Sequence, residues 1–424
     1  MKYILRTLTL LCCLLLVTEG FSQGINRQYL ANDTTNSWHR IPAIAKAKNG
    51  DLIAVYDYRI CHSDVGFGEV DQLLRISKDN GKTWSKERVI VDGFGGEKNV
   101  FGAAFGDPAI AADRESKNMV LITVSGKEPY PWANASIRPF ISAQFSKDNG
   151  KTWSTPEDIT SQFWGKDKAG NYGMFEKQDS SICAFAGFFG SGKIHQSRIV
   201  KKGKFYRLYS AMLVRGLGLK GAYVVFSDDM GHTWNILGGD ASIQASPNSD
   251  EPKVEELPDG SIILSGRAWG GRTFNIFTFD NNDFTIGHWG KEAISYNLQG
   301  GITVKENSCN GEILVVNAKK VSDGSKATLV LQSIPKGKER KNVEIWFKDI
   351  TNQDSYQTNG VNDPIVLASD WTEGLQVSNT LSAYSTMCLQ KNGRIAFFYE
   401  EGPAIYSMVF TSLSISEITN NLYE

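Results

Sequence analysis

Three segments of this chain, residues 77–84, 146–153 and 227–234, share one eight-residue pattern, S-x-D-x-G-x-x-W. Such a repeat constrains the fold more than any composition figure, because self-similarity over tens of residues signals one supersecondary unit used several times. Each copy follows a run of strand-forming residues (72–76, 140–145 and 222–226) and precedes another, so it sits at a hairpin turn. The residue types suit that position. Asp bonds the turn backbone two residues on, Gly takes the positive φ that closes the turn, and Trp folds back over the loop's apolar side.

The motif is identified as the Asp-box, found in the sialidase superfamily and in other propellers. The resemblance implies an all-β chain, a six-bladed β-propeller with Asp-box hairpins on the face away from the active site, so the boxes are read as structural. Their starts lie 69 and 81 residues apart. One four-stranded blade needs only ~40 to 50, so long loops are inserted between them, where binding residues are expected. Turn dipeptides at Asp259-Gly260, Asn310-Gly311 and Asn392-Gly393 carry the β pattern to the end, and a degenerate fourth box spans 278–289. Residues 23–424 are expected to form the propeller without a second domain.

Lys2 and Arg6 precede an apolar run over 7–17, with small residues at Gly20 and Ser22. This is the layout of a signal peptide, expected over 1–22, and too short to span a bilayer. The mature protein is expected to be secreted, periplasmic or at the cell surface, as a monomer. Removing Lys2, Arg6 and Glu19 turns 45 basic and 46 acidic residues into 43 and 45, a formal charge of minus two, which gives no bulk attraction to nucleic acid. Cys61, Cys183, Cys309 and Cys388 remain, and their spacing leaves pairing open. None of the five histidines stands in an HExxH or CxxC setting, so neither a metal nor a cofactor is expected.

Arg40-Ile-Pro42, followed 19 residues later by Arg59, resembles the sialidase Arg-Ile-Pro motif and its second arginine. Asp64, on the Gly-rich loop after Arg59, matches the aspartate that such enzymes use as general acid and base; Asp71 is the competing candidate, but it begins a regular strand. Asp107, in Gly106-Asp-Pro, resembles a sugar-contacting aspartate. Glu251 and Arg267 open and close a hairpin built around Asp259-Gly260, matching the family's base and a carboxylate-clamp arginine. Tyr384 resembles the nucleophile, and Glu400 the carboxylate that steadies Arg40. A third clamp arginine is missing from 316–330, where Lys326 is the nearest substitute.

Charge explains why sialic acid chemistry wants this set. The substrate carries a carboxylate on its anomeric carbon, which guanidinium forks grip bidentately. A carboxylate nucleophile would be repelled there and a neutral tyrosine would not, although tyrosine then needs a base. The resemblance thus implies a retaining exo-sialidase acting on sialylated glycans, glycoproteins or glycolipids. The missing arginine leaves open a related 2-keto acid sugar, deaminated or eight-carbon, and a non-catalytic glycan-binding propeller is the third reading.

Overall fold

A computed structural model describes residues 24–36 and 38–424, and the signal peptide expected over 1–22 lies outside the described residues. Strands His39–Lys46, Leu52–Tyr58, Asp71–Ser77 and Arg88–Val91 form one antiparallel meander. Three further four-stranded meanders begin with Phe105–Ala112, His195–Lys202 and Asp250–Glu256, the last two followed through long strands at 205–227 and 262–279. An eight-stranded sheet completes the chain. Its two halves, beginning with Ile313–Lys319 and Leu381–Leu389, are paired strand to strand at Lys341–Leu381 alone, so it divides into two more meanders.

The opening strands of all six contact one another in cyclic order, with Leu381–Leu389 touching His39–Lys46, which closes the ring. Gln28–Ala31 pairs with Ser407–Leu413 as the outermost strand of the last meander, stitching the start of the described chain to its end. The chain is thus nearly all β, as its sequence implies.

Strand Leu52–Tyr58 shows why the sequence folds this way. Its alternate residues serve two different cores: Leu52, Ala54 and Tyr56 pack toward the last meander, Ile53 and Val55 toward the second. A sheet covered on both faces needs apolar residues at both parities, which is why the strands read as continuous apolar runs.

Register fixes which end of each sheet carries which motif. Arg40, Asp57 and Gln72 align at one end of the first meander, and Lys46, Leu52 and Ser77 at the other. The box that starts at Ser77 therefore lies at the end opposite Arg40. Within it, Ser77 Oγ accepts the Gly81 amide (2.7 Å), and Asp79 accepts both the amide and the hydroxyl of Thr83 (2.9 and 2.6 Å). The same bonds recur at Asp148 and Asp229. The aspartate thus reaches four residues on, not two, because the residue before each glycine (Asn80, Asn149 or Met230) also takes a positive φ and widens the turn.

The four cysteines among the described residues are free thiols, and no helix among those residues is long and apolar enough to cross a membrane.

Candidate active site

At the end of the ring opposite the boxes, four opening strands are interrupted by β-bulges, between Arg40 and Ala43, Gly106 and Ala109, Asp250 and Pro252, and Ser382 and Ser385. A bulge breaks the ladder and re-aims a side chain. Three of them carry a proline, Pro42, Pro108 or Pro252, which has no amide to offer a ladder in any case. The residues so turned inward are Arg40, Asp107, Glu251 and Tyr384. They line a cavity of about 610 Å³ together with Arg59, Asp64 and Arg267.

Amides released by the bulges are each taken up by a carboxylate. Glu400 accepts the amides of Ile41 (2.8 Å) and Tyr384 (3.2 Å), Asp57 that of Asp107 (3.1 Å), and Asp250 that of Glu251 (2.8 Å). Ile41 and Asp107 stand at φ +55°, a region that β-branched residues such as Ile rarely enter, so these bonds hold strained backbone in place.

Tyr384 donates its hydroxyl to Glu251 Oε1, and Arg267 Nη1 reaches both Glu251 Oε2 (2.8 Å) and Tyr384 Oη (3.3 Å). Burial and the Glu251 charge push the Tyr384 hydroxyl well above the usual phenol range, against the pull of Arg267. Arg40 is clamped by Glu400, with Nε at 2.7 Å from Oε1 and Nη2 at 3.2 Å from Oε2.

The missing third arginine is a correction. Lys326 is exposed and pairs with Lys319 in the hairpin at the outer end of its sheet, away from the cavity. One strand later the chain turns back through 338–340, and Arg340, at φ +58°, lines the cavity. Its guanidinium carbon lies 5.7 Å from the Tyr384 ring centre, against 5.8 Å for that of Arg40. Three arginines therefore stand close to the tyrosine.

Arg59 faces three carboxylates: Asp57 and Asp64 at 3.1 and 3.0 Å, and Asp107 at 3.6 Å. One guanidinium cannot compensate all three where water is excluded. Burial, opposed by Arg59, moves Asp57 up to about 6, and burial with the Asp57 charge holds Asp107 well above the carboxylate range. Asp64 differs in being 71 % exposed, on the cavity's rim. The competing Asp71 lies outside the cavity, accepting the Gly93 amide.

The model of the BNR repeat-like domain family matches residues 50–395. The chain belongs to that family. Among curated proteins, a sialidase of Paraclostridium sordellii is 24% identical over 419 residues, 92% of this chain and 89% of its own length. A sialidase of Micromonospora viridifaciens is 28% identical over 240 residues, 54% of this chain but only 32% of that larger protein, so the match spans about a third of it. Among solved structures, a Hadza microbial sialidase aligns over 93% of this chain and 69% of its own with a TM-score of 0.67 at 21% identity, a likeness of fold.

Beside its charged half the family member's cavity has an apolar wall, including Val124, Phe188 and Leu213. Sequence reasoning missed Asp57, Asp250 and Arg340. The first two cap amides whose release depends on the bulges, and the signal that could have found them was the proline following each bulged residue.

Proposed function

We propose that this protein is a secreted exo-sialidase that hydrolyses terminal α-linked sialic acids with net retention, using Tyr384 as nucleophile. The observation that carries the reading is the hydroxyl of Tyr384 bonded to Glu251 and approached by Arg267, with the guanidinium groups of Arg40 and Arg340 close to its ring. Such a set suits an anomeric carbon that bears its own carboxylate.

In this mechanism Arg40, Arg267 and Arg340 grip the substrate carboxylate over the tyrosine. Glu251 accepts the phenol proton as Tyr384 Oη bonds the anomeric carbon, and Arg267 stabilises the oxygen losing that proton. Asp64 protonates the departing glycosidic oxygen, then takes a proton from the water that cleaves the glycosyl-tyrosine while Glu251 returns its proton to the leaving Tyr384 Oη, so that all three groups regain their starting states. Asp107 hydrogen-bonds a sugar hydroxyl or amide group.

The case for a different keto acid sugar rested on a missing clamp arginine, and Arg340 supports the sialic acid reading instead. Purified residues 23–424 are expected to release 4-methylumbelliferone from its α-sialoside, with the α anomer appearing first by proton NMR. Arg340→Ala is expected to raise KM about 10- to 100-fold, the equivalent of one or two charge-assisted hydrogen bonds. A folded protein without turnover, or with the β anomer first, would refute the proposal.

A further inference from the structure

Beside the cavity runs a second groove that shares Asp250, Arg267 and Arg340 with it. Trp269 stands in this groove, 69 % exposed. Leaving so large an apolar surface in water is unfavourable, and a solitary tryptophan on a mobile tip would need no explanation.

This tip, however, is built. Trp269 and Gly270 form a two-residue turn closing the Ala268–Gly271 pair. Gly270 donates its amide to Asn307 O (3.1 Å) and accepts that of Val304 (2.9 Å), which ties the tip to the loop carrying Glu306 and Ser308. A Cβ at Gly271 would come within 2.2 Å of Ile302 O, so the turn sits against its neighbour as closely as backbone allows. The backbone that carries the indole is thus held in place.

The groove's polar groups define what can lie there. Asp250, Glu306 and Glu339 bring three carboxylates. Against them stand Lys338, paired with Glu306 at 2.9 Å, and the two arginines turned toward the cavity. Ser308 already accepts from Arg267 Nε (2.8 Å). With Lys338 held by Glu306, Lys341 by Glu339 and both arginines facing the cavity, the groove offers an added anion no unpaired lysine, and its aromatic face and hydrogen-bonding edge suit a ring with apolar C–H faces and hydroxyls.

Resting on the sialidase reading, we propose that this groove is a leaving-group subsite for neutral pyranose residues, with Trp269 as its stacking platform. The glycan released from the anomeric carbon passes over the wall formed by Asp250, Arg267 and Arg340 and lies along the groove. The enzyme therefore favours sialic acid borne on neutral sugar chains over sialic acid borne on another sialic acid.

The test compares wild type, Trp269→Ala and Trp269→Phe on three substrates: the 4-methylumbelliferyl sialoside, a sialylated neutral tetrasaccharide, and an α2,8-linked sialic acid dimer. Trp269→Ala is expected to lower kcat/KM for the tetrasaccharide about tenfold through KM, with Phe recovering most of it, while the aryl sialoside stays within about twofold. Wild type is expected to prefer the tetrasaccharide to the dimer. Equal losses on the aryl and tetrasaccharide substrates, no loss on the tetrasaccharide, or a preference for the dimer would overturn the subsite while leaving the sialidase reading standing. Wild type inactive on the aryl sialoside would overturn both.

Discussion

Tyr384→Phe is expected to lower kcat/KM for an aryl sialoside by about 10³-fold or more, while the free sugar acid binds within about threefold of wild type. Phenylalanine keeps the ring that packs with Ile41, Cys309 and Ala383, so no cavity opens and the fold is retained. What disappears is the oxygen bonded to Glu251 and approached by Arg267. The carboxylate clamp is untouched, which is why binding and turnover should separate. Because burial holds the hydroxyl above its ordinary range, little phenolate exists in the resting enzyme, and Glu251 must take the proton as the bond forms. Glu251→Gln should therefore cost nearly as much, and the double variant little more than either alone, as for groups that act as a unit. Isothermal calorimetry and steady-state kinetics on the same preparations decide it. If Tyr384→Phe kept a tenth of wild-type turnover, the nucleophile would have to be another group, with Glu251 the nearest.

The parts of this site that were legible in the sequence are those whose local context is unusual. Arg-Ile-Pro, Gly-Asp-Pro and Asp-Glu-Pro each put a cavity-lining side chain one or two residues before a proline, and the structure explains why: a bulge both aims the side chain and tolerates a residue without an amide. The three S-x-D-x-G-x-x-W turns were legible because the same pattern recurs three times along the chain. Arg340 was not. It sits in the run Lys338-Glu-Arg-Lys341, which reads as an ordinary charged hairpin, and its position over Tyr384 follows from the length of strand Lys326–Gly337. Looking for the arginine where that strand begins led to Lys326, at the wrong end of a twelve-residue strand. Asp57 was hidden for another reason. Its carboxylate meets Arg59 two residues on, Gln72 on the next strand and the Asp107 amide in the neighbouring meander, and the last two are brought to it only by the fold.

Glu400→Gln is the sharpest test of how that register supports the chemistry. Glu400 is fully buried, and its two oxygens accept four bonds, from Arg40 Nε and Nη2 and from the amides of Ile41 and Tyr384. Glutamine has nearly the same shape but offers one acceptor oxygen, and its amide nitrogen would face donors. Arg40 would then be a largely buried charge without its counterion, a loss on the order of 3–5 kcal/mol. Both bulges that present Arg40 and Tyr384 would lose an anchor at once. The expected result is a fall in unfolding free energy of about that size in urea, accompanied by a drop of about 10²-fold in kcat/KM. Arg40→Met in the same chain should restore part of the stability, since the uncompensated charge is gone, and none of the activity, since the clamp is gone too. A loss below about 1 kcal/mol would mean that the bulges stand without Glu400, and the carboxylate would then matter to the substrate's grip alone.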